Sequence, residues 1–433
     1  MELEPSWRLR PFEENPLTFF FFITAFFLLF LFYLLRIKLW CDCHVCNAYI
    51  NSTWKSHFTN LADWYTHLLR SSPTGTIHIH VLRNIVTANP DNVEYMLKTR
   101  FDNFPKGKAF SAILGDFLGR GIFNVDGDSW LFQRKMASHQ LGSSSIRSYA
   151  FDVVQSEIDR RLLPLLASND GAVLDLQDVF RRFAFDSICR FSFGLDPKCL
   201  ESLLAMPEFA ASISDEIYLR DIVISFLLAG RDTVAAALTS FFWLAANHPE
   251  VPDAILAEAD SVLGPNKNPT KCDHLGDLHY LQAAVYESMR LFPPIQFDSK
   301  FCLEDDVLPD GTVVKKGTRV TYHPYAMGRM EEIWGEDCLE FKPERWLNNG
   351  VFFQENPFKY PVFQGGLRVC LGKEMAVLEV RTVVLSLLRR FRIELAQPHD
   401  RSPPRFSPGL TASFYGGLPV LVRERRGSSA GVN

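Results

Sequence analysis

The stretch "FQGGLRVCLG" at 363–372 sets one cysteine among glycines, with an arginine two places before the sulfur. Cys370 lies just ahead of a helical pattern that begins near Lys373. Unpaired backbone N–H groups and the helix dipole there favour a thiolate, the form that ligates metal. Gly366 and Gly372 would let the backbone approach something flat and large, and Arg368 could pair with an anionic group. On these residues alone, an inert buried cysteine in a glycine turn is equally open.

Three further sets have spacing that matters. In "FLLAGRDTVAAAL", Ala229 and Thr233 share a helix face, so the threonine hydroxyl can bond back to the carbonyl four residues earlier and open a polar notch. An ordinary buried helix is the alternative. Glu287 and Arg290 form an i, i+3 pair, with Arg345 further on in "FKPERW"; a surface salt bridge would look the same. Trp130 and Arg134 stand at i, i+4, which also describes a core tryptophan beside a surface arginine. A fourth set, Cys41, Cys43, His44 and Cys46 in "CDCHVC", offers soft metal ligands. Structural zinc normally uses two spaced pairs and no second pair follows nearby, so the segment reads as juxtamembrane chain, with an acylated cysteine as an option.

Phe363, Gly366, Arg368, Cys370 and Gly372 fill every fixed place of Phe-x-x-Gly-x-Arg-x-Cys-x-Gly, and in these residues the chain resembles the cytochromes P-450. The resemblance implies haem b, with Cys370 as the axial iron ligand, Arg368 on a propionate and Phe363 near the sulfur. It implies that Trp130 and Arg134 hold propionates, that Thr233 and Asp232 deliver protons to bound dioxygen, and that Glu287, Arg290 and Arg345 form a buried supporting network. Stretches such as "LGRGIFNVDGD" and "SMRLFPPIQFDSKF" look like the plant fatty-acid ω-hydroxylase branch, which includes oxidases of jasmonoyl-isoleucine. Within it the chain leans toward the group that carries 12-hydroxy-jasmonoyl-isoleucine to the carboxylate. By position, Phe117, Leu118, Ile224, Ile295, Gln296, Phe297 and Phe414 would line a mostly apolar substrate site. No Gly-x-Gly-x-x-Gly follows a strand, so electrons must come from a partner, which the resemblance makes a membrane-bound NADPH-cytochrome reductase. Lys135, Lys373 and Arg381 would offer it positive charge on the Cys370 side.

The elements that must position these residues are mainly helical. Long helical patterns run through "SWLFQRKMAS", "SIRSYAFDVVQSEIDRRLLPLL", "LDLQDVFRRFAFDSICRFSF", "YLRDIVISFLLAGRDTVAAALTSFFWLAANHP", "PDAILAEADSVL" and "LQAAVYESMRLF". β-like runs are confined to "GTIHIHVL", "RNIVTAN", "DGTVVKKGTRVTYHPYAMG" and "LPVLVRER", giving a mainly α fold with a minor β sheet, the cytochrome P-450 fold behind an N-terminal transmembrane helix. Uncharged Leu17–Leu35 is long enough for one bilayer crossing, and Arg36 and Lys38 after it predict a cytoplasmic body on the endoplasmic reticulum membrane. The nine cysteines are then expected as free thiols. The organisation expected is 1–40 lumenal N-terminus and anchor, 41–425 haem-thiolate domain and 426–433 tail. With 47% hydrophobic content the chain can bury a large core, and a net charge of −5 without basic blocks excludes a nucleic-acid partner.

One departure from the family pattern bears on function. Only 34 residues (229 − 194 − 1) separate Gly194 from Ala229, where the family carries further helices that roof the substrate cavity. Two readings follow: a monooxygenase acting on O2 and an acyl or jasmonoyl substrate, or a non-catalytic relative that binds haem without a complete pocket.

Overall fold

A computed structural model describes residues 16–36, 41, 43–201, 217–265, 267–397 and 403–425. The expected tail, the flanks of the anchor and the 202–216 junction lie outside the described residues. Ten helices carry the description that follows: α1 (Pro16–Arg36), α2 (His44–Ile50), α3 (Leu61–Arg70), α4 (Gly107–Leu118), α5 (Gly127–Leu141), α6 (Ser144–Glu157), α7 (Leu176–Phe193), α8 (Ile217–Asn247), α9 (His279–Leu291) and α10 (Lys373–Arg390). Helix α7 shows how local sequence sets the bounds. Asp175 accepts from the Gln177 and Asp178 amides at its start, and Gly194 takes φ +66° at its end, a conformation that costs other residues more.

Helices α7, α8, α9 and α10 bury the main core, in which Phe180, Phe183, Leu238, Phe241, Val285 and Leu385 are almost wholly shielded. Residues Arg220–Asn247 of α8 would pass for a membrane span by length and apolarity, but Val234–Phe242 lie in this core. Gly230 is fixed by the same packing. A Cβ there would run into the Ile188 side chain of α7, so the close approach that glycine permits is to a neighbouring helix.

The minor sheet resolves into several. β1 (Thr76–Ile79) pairs antiparallel with β2 (Asn84–Thr87), joining the two early β-like runs. Late in the chain, β4 (Asp298–Phe301) and β5 (Arg319–Tyr322) complete the four-stranded order β1-β2-β5-β4, β2 and β5 running parallel. The C-terminal run, β7 (Pro419–Glu424), belongs instead to a three-stranded sheet between β6 (Phe391–Leu395) and β3 (Val173–Asp175). Three two-stranded ribbons accompany these sheets, so a single minor sheet is an underestimate.

Glu287 and Arg290 of α9 are not on the surface: both are 0% exposed. Arg290 Nε and Nη2 each meet a Glu287 carboxylate oxygen at 2.7 Å, Arg345 Nε reaches Oε1 at 3.4 Å, and Trp346 Nε1 donates to Oε2 at 2.9 Å. Removing the carboxylate with Glu287→Ala leaves Arg290 buried without a counter-charge, Arg345 keeping Asp337 at 2.8 Å, and should cost about 3–5 kcal/mol. Chemical denaturation checks this, and a loss under about 1 kcal/mol would show that the pair carries little of the fold.

Glu379 of α10 gives a second expectation. Burial pushes its carboxyl up to about 8, only partly offset by the Ser187 hydroxyl. A folded pKa above the unfolded value means stability that is present below about pH 4.5 and lost as pH rises through about 8. Glu379→Gln should therefore gain stability over the parent, on the order of 1 kcal/mol, between pH 5 and pH 8.5. Melting temperatures that differ equally at both pH values would contradict it.

Candidate active site

Cys370 sits just before α10, its amide donating to the Phe363 carbonyl at 2.8 Å. The residue is open on one side, yet protein surrounds the sulfur closely enough that burial pushes the thiol up from its ordinary value. The Gly372 and Lys373 amides and the Arg134 and Lys373 cations pull the other way without winning. The helix terminus therefore does not by itself deliver the thiolate expected from sequence. A coordinating metal ion would, because it removes the proton outright.

The two loop glycines differ in what they do. Gly366 has φ +58°, and a Cβ on it would collide with the Leu97 backbone carbonyl. Its small size seats the loop on the 95–99 segment, not on a ligand. Gly372 faces open space, as a residue beside a flat group should. Just before them Gln364 holds φ +63° and its side-chain amide meets the Tyr322 hydroxyl, so the loop is tied to β5 through a strained residue.

Trp130 of α5 is buried, and the Arg368 guanidinium lies 4.5 Å from its ring centroid. Arg368 Nη2 donates to Asp126 Oδ1 at 2.6 Å and to the Val125 carbonyl at 3.3 Å, while its buried Nε has no partner. Burial lowers the Arg368 pKa despite Asp126. Arg134 makes no ion pair among the described residues; burial lowers its pKa, opposed by Cys370 and reinforced by the like charge of Arg368. The Arg134 cation thus acts on both Cys370 and Arg368, and while Arg368 has Asp126, Arg134 has no anion paired with it among the described residues. Together with the unpartnered Nε and the open side of Gly372, this fits a thiolate-ligated haem with two propionates.

Sequence reading missed the groups that hold Arg368. Asp126 precedes α5 as an N-cap residue should, but its carboxylate caps nothing in α5 and accepts instead from the Lys106 and Gly107 amides and from Arg368. Behind it, Asp298 is paired with Lys106 and with Lys300, the latter at 2.6 Å, and accepts from Tyr322 Oη at 2.9 Å. Burial would raise the Asp298 carboxyl, but the two lysines hold it well below the usual range; burial brings Lys300 down to about 7. The acid before a tryptophan helix was a readable signal for Asp126. Nothing local marked the lysines.

On α8, the Thr233 hydroxyl donates to the Ala229 carbonyl, the back-bond expected from spacing. Asp232 meets Arg231 at 3.5 Å and stays partly exposed. Helix α8 packs on α10, bringing the Thr233 element beside the one that follows Cys370. Phe363 lies against Tyr286, ring centroids 6.2 Å apart. Of the expected substrate-lining side chains, Leu118 and Phe414 are buried, Phe117 and Phe297 half exposed, and Gln296 keeps an unpartnered buried Nε2. The reductase-facing set is not brought together. Lys135 is exposed, Lys373 lies over the Phe363 and Tyr286 rings, and Arg381 is buried, donating to the Leu275 and Leu278 carbonyls.

Geometry and sequence define a haem-thiolate oxygenase, and the comparisons agree: the Cytochrome P450 family profile matches residues 49–217 and 202–413, so the chain belongs to the cytochrome P450 family, whose cofactor is haem b and whose chemistry is monooxygenation. Within it the chain goes with the 94 branch. It is 50% identical to cytochrome P450 94C1 of Arabidopsis thaliana, covering 94% of this chain and 98% of that one. It is 42% identical to cytochrome P450 94B3 of the same plant (84% and 88% covered) and 37% to cytochrome P450 94A1 of Vicia sativa (84% and 86%). The 94C1 alignment spans 484 positions against a 433-residue chain, so at least 51 (484 − 433) have no counterpart here.

The two glycines can be separated by experiment. Gly366→Ala should destabilise the folded chain by about 1–3 kcal/mol, from backbone strain plus the Leu97 clash, while Gly372→Ala should be nearly neutral in the haem-free protein. Urea midpoints decide it; equal losses would remove the distinction.

Proposed function

We propose that this chain is a membrane-anchored monooxygenase that oxidises the terminal carbon of a fatty acid or a jasmonoyl-amino-acid conjugate, drawing electrons from an NADPH-cytochrome reductase. The observation that carries it is the Arg134 cation acting on Cys370 without an ion-pair partner among the described residues, with Thr233 on the adjoining helix. When bound, the haem supplies thiolate-ligated iron that activates dioxygen and inserts one of its atoms into the substrate. Cys370 would hold the iron. Arg368, Arg134 and Trp130 would hold the propionates, Phe363 would pack beside the sulfur, and Gly366 and Gly372 would shape the loop. Thr233 would hold a proton at Oγ1 with Asp232 relaying from solvent, which its partial exposure allows.

Substrate class rests on the resemblance to the ω-hydroxylase branch and on apolar lining candidates such as Leu118 and Phe414. Anchoring rests on α1, whose 21 residues would reach about 30 Å and whose large apolar side chains from Phe20 to Tyr33 are 44–72% exposed. We place 1–40 as lumenal terminus and anchor, 41–425 as the haem domain on the cytoplasmic face of the endoplasmic reticulum, and 426–433 as tail. The domain is shortened near 200–217, where the two family matches overlap on this chain. That shortening favours a second reading, haem binding without a complete substrate pocket.

The reduced, carbon monoxide-bound protein should show the red-shifted Soret band of thiolate-ligated haem, and Cys370→Ser should lose it. With reductase and NADPH, a fatty acid, jasmonoyl-isoleucine or its 12-hydroxy form should be oxidised at the terminal carbon. Thr233→Ala should cut product formed per NADPH by roughly 100-fold while leaving the spectrum intact. A wild type without the band would sink the site assignment. A good spectrum with no turnover on any of the three substrates would establish the second reading.

A further inference from the structure

The cysteines of "CDCHVC" are completed in space by a residue that sequence spacing did not supply. Sγ of Cys41, Cys43 and Cys46 and a ring nitrogen of His80 all lie within 4.8 Å of one another. His80 Nδ1 is 3.4 Å from Cys41 Sγ and 3.8 Å from Cys43 Sγ. His44, the imidazole next to the cysteines in sequence, is not part of the group. His80 arrives because β1 ends at Ile79 and the short turn His80–Leu82 before β2 carries it toward the start of α2.

From this geometry we propose that Cys41, Cys43, Cys46 and His80 form a structural zinc site. A tetrahedral zinc with three sulfurs and one imidazole nitrogen has edges of about 3.5–3.8 Å, so the observed 3.4 and 3.8 Å already match two edges. Three soft thiols with one imidazole, and no carboxylate in the group among the described residues, select zinc over the hard cations. Two of the sulfurs already accept from backbone amides. The Cys46 amide donates to Cys43 Sγ at 3.4 Å, where Cys43 caps α2, and the Val81 amide donates to Cys46 Sγ at 3.5 Å. Such outer contacts orient ligands and soften their charge.

Binding balances as one Zn2+ and three thiols giving three Zn–S bonds and three released protons, with neutral His80 as the fourth donor and a site charge of −1. His80 shares a surface cleft with the cations Arg83, Lys315 and Lys316, which suit that charge. Occupied, the site would pin the chain that follows the anchor to the β1–β2 turn, clamping the start of the haem domain to its sheet.

The test uses the full chain purified in detergent with haem bound and dialysed against a weak chelator, with zinc and iron counted separately by mass spectrometry. One zinc per chain is expected. The double variant Cys41→Ser/Cys43→Ser should retain less than about a tenth, and His80→Ala should give up its zinc at a chelator concentration at least tenfold lower than the parent needs. Cys272→Ser, at a cysteine outside the group, should keep full zinc. If a variant fails to fold, the wild type alone decides: replacing zinc with cobalt(II) should give the thiolate charge-transfer and intense visible bands of a tetrahedral site. Wild type without zinc, zinc unchanged in both ligand variants, a cobalt spectrum without these bands, or an intact mass showing acyl groups or a disulfide on these cysteines would each overturn the proposal.

Discussion

The Glu287 carboxylate is the constraint on which the site's placement depends. It is wholly out of water, and an ionised carboxylate survives there only with its lone pairs and charge met by Arg290, Arg345, Trp346 and the Lys342 amide. The arginines it fixes then bind the chain around them. Arg290 donates to the Gly328, Cys338 and Glu340 carbonyls, and Arg345 to those of Trp334 and Asp337. The segment so held leads into an aromatic stack of Tyr286, Trp346 and Tyr360, with Tyr360 Oη donating to the Tyr286 carbonyl at 3.0 Å. Phe363 rests on that stack, and the Cys370 amide on Phe363. A charge cluster with no chemical role thus sets where the thiol stands.

At the thiol itself two effects oppose each other. Helix start and cations favour the anion, while the protein around the sulfur disfavours charge, and burial is the larger. Low-polarity surroundings that resist a free thiolate are also those in which a thiolate held to a metal would be strengthened. Arg134 and Arg368 face the same conflict with the opposite sign, since burial lowers both, and only Arg368 has a carboxylate, Asp126, paired with it among the described residues. An anionic group entering beside them would relieve the like-charge repulsion that the apoprotein carries.

Much of this was legible in the chain. Helical periodicity located α5, α7, α8 and α9, and the fixed places of the cysteine loop pointed to the family to which the chain belongs. What escaped depended on contacts distant in sequence. Gly366 looked like room for a ligand and is room for the Leu97 carbonyl; Arg381 looked like a surface cation and holds two buried carbonyls. Asp298 and Lys300 carry no local pattern, because their partners arrive by the pairing of β4 with β5. His80 is the same case, brought to three cysteines by a turn between strands whose register lies outside any local window.

The short connection between α7 and α8 bears on function more than on fold. Both helices complete their mutual packing within themselves, through Gly230 on Ile188 and Phe180 on Phe242. The first turns of α8 also have a partner independent of that connection. The Arg120 amide donates to Asp221 Oδ2 at 2.7 Å, and Gly119 and Gly121 are bare of side chain where Asp221 and Ser225 press against them. Asp221 and Ser225 are buried by that loop, so the start of α8 is held from the α4 side whatever follows α7. The cysteine loop, α5, α9 and α10 are likewise held by contacts outside that connection. A short connection here would bear instead on how far water is kept from the Thr233 face of α8, since enclosure governs whether protons reach a reaction or leak to solvent.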